Sequence, residues 1–191
     1  MPPLLAVLDA VTAEIEAFVA SGGWDQPPAL FALVPTATVA ADPQGAALLG
    51  LTDLGGITSE SLTPIAQDAL PDQPLDEALA GVEWPPQVTG CALAQEIVVL
   101  PPEAEAGLSS PDAVAEAAAH PDRREARLVV AVLRDGRTSS VLRLRGSAGS
   151  SGSDDRSSSA ARPSERGDDD EIAFGAELAP NLTAALLATL A

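Results

Sequence analysis

The stretch "VVAVLRDGRTSSVLRLR" (residues 129–145) sets two β-rich runs on either side of Asp135-Gly136. An Asp-Gly pair between alternating apolar residues predicts a β-hairpin with a two-residue type I′ turn. Such a turn places Arg134 opposite Arg137, Val132 opposite Ser139, Val130 opposite Val141 and Leu128 opposite Arg143. Side chains alternate along a strand with a period of two. One face is therefore expected to carry Arg134, Arg137, Arg143 and Arg145 around Leu128, Val130, Val132 and Val141. The other face is expected to carry Arg127, Val129, Ala131, Leu133, Leu142 and Leu144.

The arginines matter because the rest of the chain is so acidic. Its 191 residues hold ten basic residues, all arginine, against 28 acidic ones, a net charge of −18. Residues 123–145 hold seven of those arginines against Glu125 and Asp135, a local charge of +5, which leaves −23 elsewhere. Two readings of the hairpin stand side by side. Arg134, Arg137, Arg143 and Arg145 form a partner-binding face that grips carboxylate or phosphate, or they lie at the rim of a sheet and pair with the domain's own acids.

Outward from the hairpin, helices and strands alternate irregularly. Leu4, Leu8, Val11, Ile15 and Phe18 recur at steps of three and four, an amphipathic helix stopped by Gly22-Gly23. Asp9, Glu14 and Glu16 fall on its opposite face. ALFALVPTA (29–37) reads as a strand, and a short helix follows at 43–50. Within 57–70, Pro64 restricts any strand to an edge. LDEALAGV (75–82) is a short helix, and Trp84, before two prolines, reads as a hydrophobic anchor. VTGCALAQEIVVL (88–100) is apolar on both faces and so central. SPDAVAEAAAHPD (110–122) is a helix with Ser110 at the N-cap and Pro121 as its stop. EIAFGA (171–176) and LAPNLTAALLATL (178–190) read as a last strand and helix.

Residues 146–170 differ in kind. Twelve of the 25 are Gly or Ser and none is large and apolar, so the segment cannot offset its chain entropy and is expected to be a disordered insertion. The expected architecture is a single α+β domain built from residues 1–145 and 171–191. It has a mainly antiparallel sheet of about four to six strands, with N-terminal, middle and C-terminal helices packed on it.

Composition and motif searches exclude more chemistry than they suggest. The charge disfavours nucleic acid and anionic membrane surfaces, and no apolar run approaches the ~20 residues of a membrane span. The N-terminus lacks a basic region and carries Asp9, Glu14 and Glu16, which predicts a cytoplasmic protein rather than a signal peptide. Cys91 and His120 are single, the first expected as a buried structural thiol and the second at a helix C-terminus. No phosphate loop, dinucleotide fingerprint or nucleophile elbow is present. The run Asp168-Asp169-Asp170-Glu171 lacks EF-hand spacing and reads as a solvated loop. No cofactor, metal or catalytic residue is expected.

Three phrases, WPPQVTGCALAQEIVVLPPEAE (84–105), AAAHPDRREARLVVAVLRDGRTSSVLRLR (117–145) and LAPNLTAALLATL (178–190), together resemble a family of small uncharacterised actinobacterial proteins. The resemblance implies a cytoplasmic protein and carries no activity, cofactor or site residue. The leading expectation is a non-enzymatic protein-binding domain, adaptor or chaperone-like. The other is a small-molecule anion binder or enzyme that uses the arginine face.

Overall fold

The computed structural model of the chain describes residues 4–48, 58, 60–100, 116–117, 119–146, 172–175 and 178–191. At its centre, β3 (Gly90–Val99) and β4 (Arg124–Leu133) pair along ten residues each. Gly90–Ala94 and Leu128–Leu133 hold no polar side chain, because both faces of this half of the ladder are covered. Around it stand β1 (Ala29–Pro35), β2 (Leu62–Ala66), β5 (Thr138–Leu144) and β6 (Ile172–Phe174). All pairs are antiparallel, in the order β2-β1-β3-β4-β5-β6. The α+β class and the central position of β3 are as the sequence predicts.

Five helices are defined among the described residues: α1 (Leu4–Ala20), α2 (Thr36–Ala41), α3 (Pro43–Leu48), α4 (Leu75–Ala80) and α5 (Pro180–Thr189). The strand expected over 29–37 stops at Pro35, and α2 begins at Thr36. The expected helix at 110–122 lies largely outside the described residues. So does the proposed insertion, apart from Gly146. No described helix is long and apolar enough to cross a membrane.

The two faces of the sheet form separate cores. Leu8, Val11, Ile15 and Val19 of α1 lie over Phe31, Leu33, Ala92, Ala94, Val129 and Ala131. The alanines leave room for the helix to approach the sheet closely. On the far side, Leu186 and Leu190 at the C-terminal end, with Leu79 of α4, cover Leu30, Cys91, Leu93, Leu128, Val130 and Val132.

The hairpin register departs from the sequence reading by one residue. Val132 pairs with Thr138, Val129 with Val141 and Arg127 with Arg143. Leu133 N donates to Arg137 O at 2.9 Å and Gly136 N to Leu133 O at 2.9 Å. The loop is therefore three residues, Arg134-Asp135-Gly136. A type I′ turn needs positive φ at both central residues, yet of the two only Gly136 has it, at +87°. The geometry matches a type I turn closed by a glycine bulge, the usual three-residue hairpin. One residue of slip turns β5 over, so the predicted face of four arginines does not form.

The stripe of α1 is also rotated from its expected position. At 100° per residue, Glu16 and Phe18 lie roughly 80° on either side of Leu8. Sequence alone places Phe18 inside and Glu16 outside. The structure reverses them: Glu16 is 2% exposed and Phe18 64%.

Pro64 is tolerated in β2 because of its orientation. Thr36 N donates to Ser61 O and Gln67 N to Leu30 O, so odd-numbered residues of β2 point their backbone groups toward β1. Pro64 faces outward, where its missing N–H removes a donor from the sheet's free edge.

Gly90 leaves no room for a side chain beside β4: a Cβ there would meet the Val132 carbonyl oxygen and the Leu133 side chain. Gly90→Ala is expected to lower stability by at least the ~1–3 kcal/mol typical of overpacking. Chemical denaturation of the two proteins measures it. An unchanged midpoint would contradict the strand spacing described here.

Candidate functional site

The hairpin's arginines lie at two ends of the sheet, and the observed register puts Arg134 on the opposite face from Arg143. At the turn, Arg134 reaches the α5 side, donating from Nε to Val88 O at 2.9 Å, from Nη2 to Trp84 O at 3.1 Å and from Nη1 to Leu190 O. Leu190 is the C-cap of α5, so this cation satisfies a terminal carbonyl and complements the helix dipole. Trp84 belongs to the same corner. Its Nε1 donates to Thr189 Oγ1 at 3.0 Å, and its ring packs on the core, the anchor role expected of it. Arg137 pairs with Asp135 across the turn, Nε to Oδ2 at 2.9 Å. Hydrogen bonding from Arg137 holds the Asp135 carboxyl below its usual range.

The other end carries Arg143 and Arg145, joined by Arg127, which the sequence reading had set on the opposite face. Arg143 grips Glu16 with a fork, Nε to Oε1 at 2.6 Å and Nη2 to Oε2 at 2.7 Å. Arg127, 1% exposed, lies 3.9 Å from the same Glu16 and donates from Nη2 to Glu96 Oε1 at 3.2 Å and to Gly23 O. Its Nε has no hydrogen-bond partner among the described residues. Trp24 compensates in part: the Arg127 guanidinium stands over its ring at 4.5 Å, and that of Arg145 at 5.3 Å.

Glu96 ties this cluster to the loop after α1. It accepts the backbone N–H of Asp25 at 2.9 Å and of Gln26 at 3.3 Å. Asp25 has φ of +66°, the one positive value at a non-glycine among the described residues. Its carboxylate receives Arg145 Nη1 at 3.1 Å and Nη2 at 3.2 Å, while Glu125 takes a further bond from Nη1. The result is a continuous network from Arg143 through Glu16 and Arg127 to Glu96, which holds the Asp25 backbone, and from the Asp25 carboxylate to Arg145. It pins α1 and its following loop onto β3, β4 and β5. Self-pairing with the domain's own acids, the second reading of the hairpin, describes this geometry.

Sequence reasoning missed Glu16, Trp24, Asp25, Glu96 and Arg127. A signal existed for Glu96, an acid inside an otherwise apolar strand. Its partner became visible only with the ladder, where Glu96 pairs directly with Arg127.

Cys91 and His120 do not meet. Cys91 opens β3 opposite Val132, whereas His120 precedes Arg124, which pairs with Val99 at the far end of the same ladder. The Cys91 thiol is fully buried, 3.8 Å from Leu186 O and 3.7 Å from Thr189 Oγ1. Burial pushes its pKa up to about 11. It is a protonated core group at neutral pH.

Of the open features among the described residues, two bear on binding. A cleft of about 150 Å³ lies between α1 and β2, lined by Glu14, Ile15, Phe18, Phe31, Pro64 and Ala66. A groove of about 360 Å³ lies at the base of the hairpin, lined by Pro121, Arg123, Arg124, Glu125, Arg145 and Gly146.

These observations define an α+β protein whose six-stranded antiparallel sheet is clad by helices on both faces and cross-tied by buried arginine–carboxylate pairs. A family model described as PPA1309-like protein matches residues 8–191, and the chain belongs to that family. Neither the curated proteins nor the solved structures yield a match.

Truncating Glu16 to alanine leaves Arg127 and Arg143 without their shared carboxylate. Breaking such a buried pair costs about 3–5 kcal/mol, to be seen as a lower denaturation midpoint; a change no larger than at an exposed acid would contradict the cluster's role. For Cys91, alkylation of the native protein at neutral pH should be slow and become fast on unfolding. The raised thiol pKa means its stabilising contribution is intact below about 9 and declines as pH rises toward 11. Rapid native labelling would show that the core opens there.

Proposed function

We propose that the protein is a non-enzymatic binding module of the cytoplasm, an adaptor or chaperone-like domain that captures a protein partner at the α1–β2 cleft. The observation that carries this reading is Phe18. At 64% exposed it is the most solvent-exposed large apolar side chain among the described residues, and it stands at the mouth of an apolar cleft rather than alone on the surface. Phe31 braces it edge-on, with ring centroids 6.2 Å apart and planes at 88°.

Shape and charge narrow the partner. A space near 150 Å³ suits one side chain of benzene-like size. Glu14 lines the cleft and the chain carries −18, so the complement is an apolar anchor on a basic segment. Pro64 withholds a donor from the β2 edge, which favours side-chain insertion over strand addition. Actinobacterial origin, implied by the sequence resemblance, belongs to the same reading. Arg134, Arg137, Arg143 and Arg145 do not act as one face here, since the hairpin register separates them.

Peptide-library selection on the immobilised protein tests this. Enriched sequences should share an apolar anchor flanked by Lys or Arg, and Phe18→Ser should lose them while keeping near-native stability, its ring being mostly solvated already. No enrichment, or equal binding by Phe18→Ser, overturns the reading.

A further inference from the structure

We infer that the groove at the base of the β4–β5 hairpin is a binding site for a compact phosphate-type dianion. It lies apart from the α1–β2 cleft and does not depend on the partner proposed there. Three arginines line it against one glutamate, in a chain that is otherwise strongly negative.

The decisive feature is how Arg145 spends its donors. Its terminal edge, Nη1 and Nη2, is taken by the two oxygens of Asp25, and the second Nη1 proton goes to Glu125. Those bonds leave the side edge, formed by the Nε proton and the remaining Nη2 proton, without a partner among the described residues. That pair of parallel N–H groups is the fork that binds oxyanions in a bidentate manner. Only about a third of the side chain is exposed, and the guanidinium is held in place by two carboxylates and the Trp24 ring. A receptor fixed in this way loses little conformational freedom on binding.

The surroundings suit a small, highly charged ligand. Pro121 and Gly146 present little side-chain bulk at the groove, and Arg123 and Arg124 add charge at its wall. Its lining is as much polar as apolar, unlike the predominantly apolar walls of drug-sized ligand sites. A tetrahedral dianion can accept from the Arg145 fork and still offer oxygens to Arg123. A planar carboxylate uses both oxygens on the fork alone.

Titration calorimetry with inorganic phosphate and with phenyl phosphate, at constant ionic strength with malonate as comparator, tests the site. Saturable phosphate binding is expected, accompanied by a change in Trp24 emission. Arg145→Lys keeps the charge and loses the fork, and should weaken binding roughly tenfold or more. Arg123→Gln, at an exposed position that does not endanger folding, should weaken it several-fold. Tighter binding of phenyl phosphate identifies a phosphate ester as the ligand, and equal or weaker binding identifies the free ion. No saturable phosphate response overturns the inference, as does malonate binding equally well or undiminished affinity in both variants.

Discussion

Gly136 can hold a φ of +87° without strain, and the three-residue loop it closes fixes the register of the central hairpin. Every side chain of β5 inherits its side of the sheet from that loop. With the register set, Val141 and Ser139 turn toward α1, Leu142 turns toward the opposite core, and Arg143 comes to rest across from Arg127. Two like charges side by side repel. The carboxylates of Glu16 and Glu96 are what make the juxtaposition tolerable.

The same demand determines the rotation of α1. A helix turned a little the other way would bury Phe18 and leave Glu16 in water, and local propensity does not distinguish the two settings. The arginines on β4 and β5 do, because a buried guanidinium without a counter-ion is far costlier than an exposed phenyl ring. The exposed aromatic and the buried ion cluster are thus two results of one choice. The cleft beside Phe18 exists because the sheet needs Glu16.

What could be read in the sequence follows from the range of the interactions involved. β3 and β4 show as apolar runs, α5 starts near a proline, and Pro64 correctly assigns its strand to an edge, since each signal is confined to a few residues. Cys91 was legible as buried for the same reason. The hairpin was located correctly at Asp135-Gly136, but Asp-Gly serves both a two-residue loop and the end of a three-residue one. Choosing wrongly turned Arg137, Arg143 and Arg145 to the wrong face at once. Glu16 and Arg127 defeated the periodicity argument because charge is scored as solvent-facing until a partner is known. Their partners lie more than a hundred residues away in the chain or on a neighbouring strand.

Pro64 has a consequence for the life of the molecule before it is fully folded. The outer border of β2 is where an unfinished sheet would meet another copy, and a continuous row of donors and acceptors there would template cross-chain pairing. With one donor removed in its middle, that border is a poor seed for ordered aggregates even while α1 is undocked. The residue that limits β2 as a strand also acts as a kinetic safeguard during assembly.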